Sequence, residues 1–99
     1  MPDSKIYFLS FQSIPLKANS GLSQAPYGLA RLWVKAEAPN EARVYAESYL
    51  VEYGLQPKHL EQPPRETTSD DYRRKPVDLA NFRKAEDFGI ALHLEAENP

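Results

Sequence analysis

YGLARLWVKAEAPNEARVYAESYLVEYG, residues 27–54, changes its apolar period part-way through, and that change sets the fold class. Over residues 27–36, Ala30, Leu32, Val34 and Ala36 alternate with Leu29, Arg31, Trp33 and Lys35, the two-residue repeat of a strand with one set turned to a core. From Pro39 the repeat becomes helical. Ala42, Tyr45, Ala46, Tyr49, Leu50 and Tyr53 form one stripe, while Arg43 and Glu47 lie a turn apart on the wet side. Pro39 suits a first helical turn, Glu41 suits the positive end of the dipole, and Gly54 suits a left-handed stop.

On the N-terminal side, KIYFLSFQ at residues 5–12 reads as a first strand, with Ile6, Phe8 and Ser10 on one face and Tyr7, Leu9 and Phe11 on the other. Residues 13–26 are dense in Ser, Pro, Asn and Gly and predict a long loop, with Leu16 and Leu22 as pins. On the C-terminal side, LQPKHLEQ at residues 55–62 is a third strand that either lies at a sheet edge or begins only after Pro57, which lacks a ladder donor. PPRETTSDDYRRKP at residues 63–76 then reads as a charged connector. A second helix starts near Pro76, turns Leu79, Phe82 and Ala85 to one side and stops at Gly89. IALHLEA at residues 90–96 alternates as a last strand, with Ile90, Leu92 and Leu94 inward and Ala91, His93 and Glu95 outward.

The order β-β-α-β-α-β over 99 residues predicts a single α+β domain, residues 1–99. Its expected form is a two-layer sandwich in which both helices cover one face of a four-stranded sheet. This is a ferredoxin-like architecture in the broad sense only, because the element order is a different permutation. With Ile6, Phe8, Leu32, Val34, Ile90, Leu92 and Leu94 toward the helices, the other face would carry Tyr7, Leu9, Phe11, Leu29, Arg31, Trp33 and His93. A bare apolar face of that kind marks an interaction surface.

Composition narrows the function. The chain carries a net charge of -2 and no cysteine. Dedicated polyanion binding needs a basic excess, and disulfides, thiol nucleophiles and thiolate metal sites are absent. The N-terminal apolar run lacks a basic leader and a cleavage site, and no run approaches the roughly 20 residues of a membrane span, so the expectation is a cytoplasmic protein without membrane attachment. No nucleophile elbow or phosphate-cradling glycine pattern is present. Asp70-Asp71 and Glu86-Asp87 are adjacent pairs whose side chains diverge, and neither makes an acid/base dyad. No catalytic residue, metal ligand or cofactor is therefore assigned.

The candidate interaction residues are Tyr7, Phe11, Arg31, Trp33, Tyr72 and His93. The leading expectation is a non-catalytic protein that self-associates as a homodimer through the uncovered face, with Tyr72 in the charged connector as an anchor for a protein partner. The alternative is a small-molecule pocket or enzyme on the same face, with His93 as base and Arg31 orienting an anion. Single-stranded nucleic-acid binding on Trp33 and nearby cations ranks last. IYFLSF resembles the aromatic strand of RNA-recognition domains, but no second strand carries the matching Gly-aromatic pattern.

Overall fold

The computed structural model describes residues 4–15 and 28–96. In chain order the elements are β1 (Lys5–Pro15), β2 (Gly28–Ala36), α1 (Pro39–Tyr53), β3 (Leu55–Thr67), a 3-10 helix (Ser69–Tyr72), α2 (Pro76–Phe88) and β4 (Ile90–Ala96). The α+β class, the four strands, the two helices and their order are those expected. Residues 13–15 extend β1. The remainder of the expected loop, with Leu16 and Leu22, lies outside the described residues.

Both helices begin on a proline and end on a left-handed glycine. Gly54 has φ 101° and Gly89 φ 94°, a region that costs most other residues about 1 kcal/mol or more. Gly54 donates its N–H to the Val51 carbonyl at 3.0 Å, and Gly89 donates to Ala85 at 2.8 Å. Each therefore closes its helix and turns the chain directly into the next strand. On the wet side of α1, Arg43 Nε reaches Glu47 Oε2 at 3.1 Å, the contact that the helical spacing implied.

The strands form one open sheet in the order β3-β1-β2-β4, and every neighbouring pair is antiparallel. Since β2 and β3 both run against β1, they point the same way and α1 carries the chain over β1 between them. The segment from β3 through α2 to β4 then crosses from one sheet edge to the other.

Register decides the faces, and here the structure corrects the expectation. Phe8 pairs with Trp33 and Tyr7 with Val34, so the face carrying Leu32 and Val34 also carries Tyr7, Leu9 and Phe11, not Ile6 and Phe8. That face packs on Ala42, Ala46 and Leu50 of α1. The opposite face carries Ile6, Phe8, Trp33 and Ala91 and packs on Tyr72 and on Phe82 and Ala85 of α2. The helices lie on opposite faces rather than on one, giving three layers rather than two. Both faces of β1 and β2 are apolar, and two single-striped helices bury more apolar area by taking one face each.

The connector is corrected as well. Residues 63–67 complete β3, which runs to Thr67 despite Pro57, Pro63 and Pro64. The strand tolerates them because it is an edge, and three register shifts against β1 absorb its surplus length. The Asp70-Asp71 pair sits in the 3-10 helix, where Asp71 Oδ2 accepts the Thr68 N–H at 2.8 Å. Asp71 is thus a helix cap.

Candidate interaction surface

Four of the six sequence-nominated residues are core. Tyr7 and Phe11 lie under α1, while Trp33 is 0% exposed and Tyr72 only 5%. Trp33 sits at the centre of an aromatic group, with Phe8 at 5.1 Å between ring centroids and Tyr72 at 6.1 Å edge-on. Phe82 adds a ring 5.9 Å from Tyr72. Tyr72 therefore fastens the segment between β3 and α2 to the sheet and offers nothing to a partner. The face expected to be bare is filled from within the chain.

Two polar atoms in this group have no protein partner among the described residues, the Trp33 Nε1 and the Tyr72 hydroxyl. A buried hydroxyl without a hydrogen bond lowers stability by about 1–3 kcal/mol. Tyr72→Phe, which keeps the ring, is expected to leave the unfolding free energy unchanged or raise it by up to about 1 kcal/mol. Denaturant titration would show the opposite sign if the hydroxyl were bonded in solution.

Arg31 is engaged on all sides. Its Nη2 donates to Asp78 Oδ2 at 3.0 Å and its Nη1 to Glu95 Oε2 at 3.4 Å. The guanidinium also lies 5.4 Å from the Phe8 ring centroid and 5.2 Å from that of Trp33. With two carboxylates and two rings around it, Arg31 has no free donor fork for the substrate anion that the pocket alternative required. His93 pairs across the ladder with Arg31 and has its Nε2 3.9 Å from Glu95 Oε2, beyond hydrogen-bond reach. Among the described residues no cluster of three or more His, Asp or Glu is placed to hold a metal ion.

No protein family, curated protein or solved structure matches this chain.

The two sheet edges differ. β3 carries three prolines, three register shifts and the charges of Lys58, Glu61, Arg65 and Glu66, all devices that block strand addition. β4, IALHLEA, has no proline, no lysine and no register shift. Its outer groups can be assigned from the ladder. Lys35 donates its N–H to the Gly89 carbonyl at 2.8 Å, so the pairs Trp33/Ala91, Arg31/His93 and Leu29/Glu95 exchange the β2–β4 hydrogen bonds. The N–H and C=O groups of Ile90, Leu92 and Leu94 therefore point outward from the sheet.

Apolar surface accompanies this edge. α1 packs on β3, β2 and β1, leaving Leu94 41% exposed at the margin of its face. Beside Ile90, the residues Tyr45, Tyr49, Val34 and Lys35 line a groove of about 330 Å³. Sequence reading missed this surface because alternation marks Leu94 as inward, and the strand order that puts β4 at an edge is not written in its residues.

Proposed function

We propose that this is a non-catalytic protein of the cytoplasm that acts through protein contacts, adding an extended strand of its partner to the outer edge of β4. The observation carrying the reading is the contrast between edges: β3 is guarded by prolines and register shifts, whereas β4, among the described residues, presents unguarded backbone donors and acceptors beside exposed Leu94. A cysteine-free sequence suits a reducing compartment, and no helix among the described residues is long and apolar enough to cross a membrane.

Strand addition has a direct signature. A synthetic peptide spanning residues 88–96, added in excess to the isotope-labelled chain, is expected to shift the Ile90, Leu92 and Leu94 amides and slow their hydrogen exchange several-fold, while β3 amides stay unchanged. Leu94→Pro removes one outward donor and none that bonds β2, so it should abolish the response and keep the fold. A peptide that perturbs β3 instead, or no amide at millimolar concentration, would overturn the reading.

A further inference from the structure

We infer that the strand received by β4 is the β4 of a second copy of this chain, paired antiparallel about a twofold axis through Leu94. This inference rests on β4 being the contact edge and adds the identity and register of the occupant.

Self-complementarity of the strand supports it. Antiparallel pairing centred on Leu94 places His93 opposite Glu95 of the copy, twice by symmetry, with the two Leu94 side chains meeting between them. Side-chain direction is consistent with this, because His93 pairs with Arg31 and Leu94 with Ala30 on opposite faces of the sheet. The two polar pairs would thus fall on the α2 side and the leucine pair on the α1 side. Imidazole faces carboxylate and leucine faces leucine with no residue changed.

The backbone agrees. Leu92 and Leu94 carry outward N–H and C=O groups, and this register sets Leu94 against Leu94 and Leu92 against Ala96 as hydrogen-bonded pairs. His93 and Glu95 then form the intervening pair, where Cα atoms approach to about 4.5 Å and side chains interact most strongly. The register centred on His93 would place two imidazoles face to face and leave Glu95 opposite Ala91. The register centred on Leu92 would leave Glu95 opposite Gly89. Only the Leu94 register sets each His93 imidazole opposite a Glu95 carboxylate.

Helix spacing admits the arrangement. α2 packs on both β2 and β4, so its axis lies inward of the edge. With strands about 4.8 Å apart, two copies of α2 would run side by side at about 10 Å, the distance at which helices pack. The product is an eight-stranded antiparallel sheet with α1 of both copies on one side and α2 of both on the other, closed by an isologous contact.

The chain has no cysteine, which makes the register directly readable. In the proposed pairing positions 93 and 95 of different copies lie at disulfide distance. Mixing His93→Cys with Glu95→Cys under mild oxidation is therefore expected to give a mixed disulfide dimer in at least fivefold excess over either homodimer. Sedimentation of the unmodified chain should show a dimer, and Leu94→Lys, which sets like charges on the axis, should raise its dissociation constant at least tenfold. Dominant His93→Cys homodimer would replace this register with the one centred on His93. A chain that stays monomeric at hundreds of micromolar while its β4 amides still respond to the peptide would exclude a second copy and leave strand addition standing. A dimer indifferent to both Leu94→Pro and Leu94→Lys would remove β4 from the contact altogether.

Discussion

Leu32→Ala and Trp33→Ala, substitutions at adjacent positions, are each expected to cost several kcal/mol. The reason is that each residue is fully buried in a different core. Leu32 packs in the α1 layer and Trp33 in the α2 layer. Truncating a buried leucine costs about 2–5 kcal/mol and a buried aromatic about 3–5. For a domain of this size each kcal/mol lowers the melting temperature by roughly 4–8 °C, so either variant loses on the order of 10 °C or more. Domains hold only about 5–15 kcal/mol in total, and the double variant should be largely unfolded at room temperature. Denaturant or thermal unfolding checks the pair. In a two-layer protein one of two adjacent strand residues would face solvent and its substitution would be mild, so a cost below 1 kcal/mol at either position would contradict the three-layer arrangement.

The second large effect belongs to the ion pair that fastens α2. Asp78→Ala removes the carboxylate that Arg31 meets at 3.0 Å, in a site where the two side chains are 19% and 10% exposed. A hydrogen bond to a charged group contributes about 1.5–3 kcal/mol, and Asp78 also sits in the first turn of α2, where a negative charge complements the dipole. The expected loss is about 2–3 kcal/mol; Glu95 remains beside Arg31 and limits it. Glu47→Ala breaks an exposed pair of similar length, 3.1 Å, and should cost no more than about 0.5 kcal/mol. A double-mutant cycle of Arg31→Met with Asp78→Ala would isolate the coupling. Coupling as small as that of the surface pair would show that α2 is held by its apolar contacts alone.

The element order was legible because each element carries its own punctuation. Pro39 and Gly54 bracket α1, Pro76 and Gly89 bracket α2, and β4 alternates without interruption. The faces were not legible. In β1, Ile6 and Phe8 are as apolar as Tyr7, Leu9 and Phe11, so alternation gives two candidate core faces and only the register with β2 tells which one joins Leu32. A single shift of that register exchanges the faces, and nothing within either strand fixes it. The end of β3 was hidden for another reason. Prolines read locally as stops, yet Pro63 and Pro64 fall in the register shift between the Phe8/Arg65 and Ser10/Gln62 pairs, where the ladder needs no donor, and pairing continues to Thr67.

The candidate site shows the same division. His93 was nominated from alternation and does lie on the edge strand, side chain 35% exposed. Tyr7, Phe11 and Trp33 read as members of an open face and Tyr72 as an anchor in the charged connector, and burial removes all four. Arg31 and Asp78, 47 residues apart, are joined only by the path of α2 across the sheet, which no local pattern encodes.

Edge asymmetry has a consequence for how far assembly goes. A unit reactive at both ends polymerises, and a unit reactive at one end couples once and stops. The prolines and register shifts of β3 would make this chain the second kind: in the proposed pairing of two β4 strands, the outer margins of the enlarged sheet would both be β3. The same residues that distort one strand would thus act as chain terminators, restricting the proposed assembly to a discrete pair instead of a fibril.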